Sequence, residues 1–430
     1  MQRRRFLIGG LAAKLAWANE EWLRSRPDIL VYRPLAETDF DAENQHFIVC
    51  LLPSGTFLAM WTRASQEAAV DQHIAFSRSM DQGQTWSNPQ RIDGPAPADE
   101  KGTGMASWGF PVVAAKLGRV YCFYNKNTGY RGPGAAETGA LRARWSDDDG
   151  RTWSKQHVDY PFARNDFSDP RPDFPQDWIV YQAPLYTKSG KVVAGYTHWA
   201  NRTVHPKLTA ERRTASELLF LHMENILSEP DPAKLVIRSL PEGKGIRLIA
   251  PPEPAMSVIQ EPTVQELSGG RWITVARTLT GRIYFALSSD NGRSWGQPDI
   301  LRYEPGGKPL LNPRAPCPLY KFSDGRFLLI FYNNDGGAGG PLDYKVNRTP
   351  AWYCVGREIR GQASQPIRFS QPRVLAGNDS KPIGPRGLTE IATYPSFFEY
   401  KSRRYFWYPD RKHFLLGKMI TDEMLDSARF

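Results

Sequence analysis

One eight-residue pattern, Ser-x-Asp-x-Gly-x-Thr/Ser-Trp, occurs three times in this chain of 430 residues. The copies are SMDQGQTW (79–86), SDDDGRTW (146–153) and SSDNGRSW (288–295), and each follows a strand-like apolar run. In such a segment Ser and Asp bond nearby backbone amides, Gly adopts a conformation that other residues avoid, and Trp packs the turn onto a core. The pattern therefore predicts repeated tight β-turns in which Asp81, Asp148 and Asp290 have structural roles.

A second, looser repeat predicts the architecture. An apolar run, a polar turn and a second apolar run recur six times, at 47–64, 109–126, 182–199, 261–278, 317–334 and 394–411. Each copy is typical of a β-hairpin, and three are followed by the eight-residue pattern. We therefore predict an all-β, six-bladed β-propeller over residues 28–430, in which 28–35 completes the last blade. Residues 200–250 are expected to form an irregular insertion, with a short helix considered at 208–227.

The composition limits the kinds of molecule that this protein is expected to bind. The formal net charge is +10, but Lys and Arg are scattered, which argues against nucleic acid and favours an anionic small molecule. No apolar stretch reaches the ~18–20 residues of a membrane span. Cys50, Cys122, Cys317 and Cys354 lack metal-ligand spacing and are expected to be buried thiols. We expect no metal, no cofactor and a monomer.

The first eighteen residues carry an export pattern. Arg3, Arg4 and Arg5 are followed by Phe6 and Leu7, which resembles a bacterial twin-arginine signal, and Ala-Trp-Ala at 16–18 looks like a cleavage site. The sequence therefore predicts a signal peptide over 1–18 and an exported protein, periplasmic or secreted.

Polar residues at the predicted strand ends indicate chemistry. The inner strands of a propeller converge on its axis, so their entry ends share one pocket. Glu261 and Tyr394 open two of the hairpins, and Arg277 ends the hairpin that Glu261 begins. Guanidinium groups recognise carboxylates bidentately, and a tyrosine becomes a nucleophile when a carboxylate takes its proton. These residue types together indicate covalent chemistry on an anionic molecule.

The repeats and these residues resemble the sialidase (neuraminidase) superfamily over nearly the whole chain, and the eight-residue pattern is similar to its Asp box (BNR repeat). The most specific segments are QEPTVQEL, GGRWITVART and TYPSFFEY. The resemblance implies that Tyr394 is the nucleophile and Glu261 the base that activates it, and sialidases are exceptions to the two-carboxylate scheme of glycosidases because of this tyrosine.

The resemblance also implies substrate arginines and a general acid. Arg277 and Arg33 match two carboxylate-binding arginines, although Arg33 is followed directly by Pro34 where the family has one residue between them. The remaining candidate substrate arginines are Arg348 as the best third match, then Arg314 or Arg386, and Arg63. The acid is expected on the loop 64–72, where Glu67 is nearest the family's aspartate and Asp71 follows four residues later.

Two classes of function follow. The first is an exo-acting glycoside hydrolase, or a related lyase or transglycosidase, that removes a terminal and acidic sugar such as a sialic acid; a different sugar stays open. The second is a non-catalytic propeller that binds glycans or proteins, because propellers are also scaffolds. The Glu, Tyr and Arg residues favour the enzyme, and the absence of the family's aspartate favours the binding protein.

Overall fold

The computed structural model describes residues 20–34, 41–95, 104–130, 136–201, 215–250, 256–337, 347–361, 364–384 and 386–430. The predicted signal segment, 1–18, lies outside these ranges. Helix within them is limited to short segments, namely 3-10 turns at Glu21–Ser25, Ala115–Leu117, Pro232–Lys234 and Ser268–Gly270 and one α-helix, α1 (Asp422–Asp426). No helix of the described ranges has the length and apolar character needed to cross a membrane.

The strands of the first half form antiparallel meanders in chain order. The chain begins with β1 (Ile29–Tyr32). The first meander contains β2 (Glu43–Leu51), β3 (Phe57–Ala64), β4 (His73–Ser79) and β5 (Gln90–Asp93). The second contains β6 (Ala106–Ala114), β7 (Arg119–Lys126), β8 (Thr138–Ser146) and β9 (Val158–Tyr160). The third contains β10 (Gln176–Val180), β11 (Leu185–Tyr186), β12 (Val192–Trp199), β13 (Ser216–Met223) and β14 (Ile237–Leu240).

The second half continues the same plan. A two-stranded ribbon consists of β15 (Ile249–Ala250) and β16 (Met256–Ser257). The fourth meander contains β17 (Ile259–Glu266), β18 (Trp272–Thr278), β19 (Tyr284–Ser288) and β20 (Asp299–Ile300). The fifth contains β21 (Leu319–Lys321), β22 (Phe327–Phe331), β23 (Ala351–Glu358), β24 (Ile367–Phe369) and β25 (Arg373–Ala376). The last contains β26 (Ser396–Tyr400), β27 (Arg403–Asp410) and β28 (Phe414–Met419).

The core lies between successive meanders. One apolar cluster joins Phe110 of the second meander to Trp178 of the third, and another joins Leu328 of the fifth to Phe406 of the last. Further clusters join the first to the second, the third to the fourth and the fourth to the fifth. Trp407 of the last meander packs with residues of the first, so the last meander and the first also share an apolar cluster. The predicted all-β, propeller-like fold is confirmed.

The number of blades depends on one sheet. The second and third meanders form a single nine-stranded sheet because β8 pairs with β10, at Gly139 with Gln176 and Thr138 with Asp177. Dividing the sheet at these two residue pairs gives six meanders, and leaving it whole gives five sheets besides the small ribbon. The count of six blades therefore stays a prediction.

The first strand completes the last sheet, as predicted. β1 pairs antiparallel with β28, beginning at Ile29 opposite Gly417, so the last meander becomes a four-stranded sheet. The two ends of the described chain are thereby joined by backbone hydrogen bonds.

The interpretation of residues 200–250 as an irregular insertion was wrong for part of that range. β13 pairs with β12 over its whole length and β14 pairs with β13, so both belong to the third meander. The short helix considered at 208–227 was wrong over 216–223. Every residue of β13 is buried, which removes the alternation of apolar and polar residues that marks a strand in sequence.

The three Asp-box turns share one hydrogen-bond pattern. In the first, Asp81 accepts from the backbone N–H of Thr85 at 2.9 Å and from its hydroxyl at 2.5 Å, and Ser79 donates to Asp81 at 2.8 Å. Asp148 and Asp290 accept the same pair of bonds from Thr152 and Ser294. Gly83 has a φ of +90° and donates its N–H to Ser79. Each aspartate thus bonds within its own turn.

Candidate active site

Near the start of several inner strands, one residue has a backbone in the left-handed region. Glu261 has a φ of 53° and Tyr394 one of 65°, and His46 and Trp108 have similar values. The ladder of β17 with β18 passes from Gln260 to Pro262, so Glu261 is the extra residue of a β-bulge. Its N–H donates to the Thr197 hydroxyl at 2.7 Å. Positive φ at non-glycine residues costs about 1–3 kcal/mol and clusters at functional sites, where bulges redirect side chains.

The bulge at Glu261 and the left-handed backbone of Tyr394 accompany the close approach of the two predicted catalytic residues. The Tyr394 hydroxyl donates to Oε1 of Glu261 at 3.1 Å, and Nη1 of Arg277 lies 2.8 Å from Oε2 of the same carboxylate. All three side chains are buried. Burial and the charge of Glu261 raise the pKa of Tyr394 to about 12, although Arg277 opposes the shift. The phenol is therefore protonated at neutral pH, with a carboxylate in position to accept its proton.

Arg277 also contacts Gln260, the residue opposite it on β17. Its Nε and Nη2 donate to Oε1 of Gln260 at 3.2 and 2.8 Å. Two nitrogens of Arg277 therefore donate to Gln260, and the third forms the ion pair with Glu261.

Aromatic rings enclose the tyrosine. The ring of Tyr181 lies edge-on at 5.8 Å between centroids, and that of His46 lies at 5.9 Å. Burial lowers the pKa of His46 to about 3, so this histidine is neutral. Tyr394 is thus held by apolar and neutral groups on these sides, and its charged neighbours lie elsewhere.

The third predicted arginine is close by and is paired. Nη1 of Arg348 donates to Oε2 of Glu390 at 2.8 Å, and Nη2 donates to the backbone carbonyl of Arg314 at 2.6 Å. Burial acts to raise the pKa of Glu390, but the charges of Lys412 and Arg348 outweigh it and lower the pKa. Arg314, itself a predicted substrate residue, contacts Arg348 through its backbone.

Lys412, which sequence reasoning missed, joins Tyr394 to the predicted acid. Its ammonium lies 5.8 Å from the centre of the Tyr394 ring. It also lies 2.9 Å from Glu67, 3.4 Å from Glu390 and 3.9 Å from Glu43. Lys412 is buried between β27 and β28, next to the equally buried Arg411. In the sequence, Asp410-Arg411-Lys412 is a charged run between two apolar strands, a pattern typical of an exposed turn.

Glu67 is held by two cations. Nζ of Lys412 donates to its Oε2 at 2.9 Å, and Nη1 of Arg386 donates to the same oxygen at 3.2 Å. Arg386 also donates to both oxygens of Glu43, at 3.1 and 2.9 Å. Burial acts to raise the pKa of Glu67, but Lys412 and Arg386 outweigh it and lower the pKa to about 2. In this state Glu67 carries no proton at neutral pH.

The other predicted residues have different surroundings. Asp71 accepts from the backbone N–H and the hydroxyl of Ser65 at 2.8 and 3.0 Å, within its own loop. Arg63 donates to Asp41 at 2.9 Å and to the Tyr32 hydroxyl at 3.1 Å. Arg33 directly follows β1 and is half-buried. These contacts of Asp71 and Arg63 join them to groups other than Tyr394 and Glu261.

Two further observations bear on cofactors and thiols. Among the residues that the structure describes, no group of three or more His, Cys, Asp and Glu side chains is arranged to hold a metal ion. The four cysteines are free thiols; Cys50 is partly buried and the other three are buried.

Comparisons with known proteins agree with this geometry at the level of fold. Residues 55–363 match the family model of the BNR repeat-like domain. A Hadza microbial sialidase superposes with a TM-score of 0.59 at 16% identity, over 89% of this chain and 66% of that one. The NanB sialidase from Streptococcus pneumoniae gives a TM-score of 0.59 at 13% identity, over 92% and 70%. The comparison with curated sequences gave no match.

A third solved structure is matched over nearly its whole length. The intramolecular trans-sialidase from Ruminococcus gnavus, in complex with oseltamivir carboxylate, gives a TM-score of 0.58 at 12% identity, over 92% of this chain and 97% of that one. Identities this low establish a common fold, and the chemistry of this chain has to be argued from its own residues.

Proposed function

The chain belongs to the BNR repeat-like domain family, and on this premise we propose that it is an exo-acting glycoside hydrolase of the sialidase-like type. The observation that carries the proposal is the 3.1 Å hydrogen bond from the Tyr394 hydroxyl to Glu261, with Arg277 on the other carboxylate oxygen. A nucleophile, its base and a group that orients the base are thereby in contact. A protein that only binds glycans has no need of this arrangement.

In the proposed reaction Glu261 accepts the phenol proton as the Tyr394 oxygen attacks the anomeric carbon. A bond forms between this oxygen and the sugar, and the bond from the anomeric carbon to the leaving oxygen breaks. A general acid supplies a proton to the leaving oxygen; we propose Glu67 for this role, with Asp71 as the alternative. Water then attacks the anomeric carbon and the glycosyl–tyrosine bond breaks. The general acid, now ionised, takes the proton that the water loses, and the phenol proton returns from Glu261 to Tyr394.

We propose that the substrate is a terminal sugar with a carboxylate, as in sialic acids and related acids. The support is the set of cations near Tyr394, namely Arg277, Arg348 and Lys412, whose charges all act to lower the pKa of the tyrosine. A neutral phenol also suits an anionic substrate, because a carboxylate nucleophile would be repelled by it. Arg33 is proposed as a further substrate arginine because of its place after β1.

A non-catalytic glycan-binding propeller is the second candidate. One observation favours it: Glu67, the residue nearest to the expected acid, is ionised and paired with Lys412 and Arg386. An acid in this state has no proton to give to a leaving group.

A substrate screen separates the two candidates. The full chain is assayed against fluorogenic glycosides of sialic acid, of uronic acids and of neutral sugars. The proposal expects turnover of an acidic glycoside that is lost in Tyr394→Phe. Binding of glycans without turnover of any glycoside would contradict it and support the binding protein.

A further inference from the structure

We propose that Lys412 and Arg386 form a binding subsite for the carboxylate of the substrate, and that Glu67 occupies this subsite in the free protein. Glu67 is then an internal substitute that the ligand displaces. This inference rests on the proposed function, because it takes the ligand to be an acidic sugar that binds beside Tyr394.

Exposure identifies Glu67 as the exchangeable partner. Among the described acids that contact these two cations, Glu43 and Glu390 have side chains only 3% exposed, whereas the Glu67 side chain is 34% exposed. Moving a buried acid away from its cation leaves an uncompensated charge, which costs about 3–5 kcal/mol. Glu67 can instead move from the cations into solvent, and one carboxylate then replaces another.

The arginines that match the family's substrate arginines are less able to exchange a protein partner for a ligand carboxylate. Arg277 donates to Gln260 through Nε and Nη2 and forms an ion pair with Glu261 through Nη1, and both of these partners are buried. Arg348 is bound to the buried Glu390 and to a backbone carbonyl. A ligand would have to displace buried partners to reach these guanidinium groups, so a carboxylate meets less resistance at Lys412 and Arg386.

The charge of the cluster around Lys412 and its position beside Tyr394 both suit the binding of a ligand carboxylate. Without Glu67, the cations Arg348, Arg386 and Lys412 face the two acids Glu43 and Glu390, which leaves one positive charge for an anion to neutralise. The ammonium of Lys412 is 5.8 Å from the centre of the Tyr394 ring. A carboxylate on Lys412 therefore lies next to the proposed nucleophile.

Displacement also changes what Glu67 can do. The two cations are what hold its pKa at about 2. Once a ligand carboxylate takes these cations, Glu67 returns toward the ordinary proton affinity of a glutamic acid, about pKa 4.3. With substrate bound, Glu67 can then carry a proton in acidic solution near pH 4, where the free protein keeps it ionised.

The test is calorimetric titration of the full chain at neutral pH with oseltamivir carboxylate and with its ethyl ester, a matched pair that differs in one charge. Glu67→Gln removes the internal acid, so it should bind the carboxylate about ten-fold more tightly, a change of about 1.4 kcal/mol. Arg386→Gln should weaken binding of the carboxylate, and neither change should alter binding of the ester. Arg386 is 32% exposed, so its loss should be tolerated by the fold.

Glu399→Gln is the matched control, since Glu399 is a partly exposed acid of β26 that pairs with Arg404. It should bind both probes as the unaltered protein does. Weaker or equal binding of the carboxylate by Glu67→Gln, or no binding of it by any of the proteins, would overturn the subsite. Turnover that depends on Tyr394 would leave the proposed function standing in either case.

Discussion

The hydroxyl of Tyr394 donates a 3.1 Å hydrogen bond to Glu261, a residue 133 positions earlier in the chain. Each lies at the entry of an inner strand in a different meander, and each has a positive φ. The fourth and last meanders therefore each supply half of the proposed catalytic pair, and the backbone of each is strained at that residue.

Tyr394→Phe should abolish turnover while the protein stays folded. The change removes the attacking oxygen, so we expect a loss of at least about a thousand-fold in kcat. It removes one hydrogen bond to a charged acceptor, so the free energy of unfolding should fall by about 1.5–3 kcal/mol. The measurements are the fluorogenic assay and denaturant unfolding.

Tyr320→Phe is the matched control for this variant. The Tyr320 hydroxyl is also buried and donates to the backbone carbonyl of Pro395 at 2.8 Å. Because this acceptor is neutral, the loss of the bond should lower the free energy of unfolding by about 0.5–1.5 kcal/mol and leave kcat unchanged. Equal activity of the two variants would reject Tyr394 as the nucleophile.

Arg277→Gln should reduce stability as well as activity. The change leaves the buried carboxylate of Glu261 without its cation, which should cost about 3–5 kcal/mol in the free energy of unfolding. Adding Glu261→Gln removes the uncompensated charge, so the double variant should regain part of that loss. Denaturant unfolding of the two single variants and the double variant measures this coupling, and strictly additive losses would show that the pair does not interact.

Asp290→Ala should affect folding alone. Asp290 accepts two hydrogen bonds from Ser294 within its turn, and bonds to a charged acceptor contribute about 1.5–3 kcal/mol each. We expect the free energy of unfolding to fall by at least about 1.5 kcal/mol, with kcat/KM unchanged. Loss of activity at unchanged stability would instead place this turn in the active site.

Binding of a carboxylated ligand should take up protons near pH 4. The pKa of Glu67 is held at about 2 in the free protein and should rise toward about 4.3 when a ligand carboxylate takes Lys412 and Arg386. Between these values the bound protein holds more protons than the free protein, so lower pH favours binding through Glu67. Calorimetry in two buffers with different heats of ionisation measures the uptake, which Glu67→Gln should abolish. Equal uptake by that variant would assign the proton to another group.

The hairpins and the Asp-box turns could be predicted because their signals are local. A polar turn between two apolar runs, or a Ser-Asp-Gly-Trp turn, is decided by residues that are close in sequence. The strand β13 was misassigned because burial of both faces removes the alternation that distinguishes a strand. Glu261 and Tyr394 were predicted through their place in segments that resemble sialidases, and the structure adds the bulge at Glu261 and the positive φ of Tyr394.

The charged cluster around Lys412 could not be predicted from local patterns. Arg386 and Glu43 are 343 positions apart, and Lys412 and Glu67 are 345 apart. Nothing near any of these residues indicates that its charge is buried or which charge compensates it. The protonation of Glu67, the proposed general acid, could not be predicted for the same reason, since it depends on cations from the last part of the chain.

The pairing of β1 with β28 joins two strands that are synthesised far apart in time. Ile29 is synthesised 388 residues before its partner Gly417. Until then β1 has no strand beside it, and its unpaired backbone groups are open to pairing with other chains. The last sheet is therefore completed only after Gly417 has been synthesised, and the interval before that is when β1 is most exposed to misassembly.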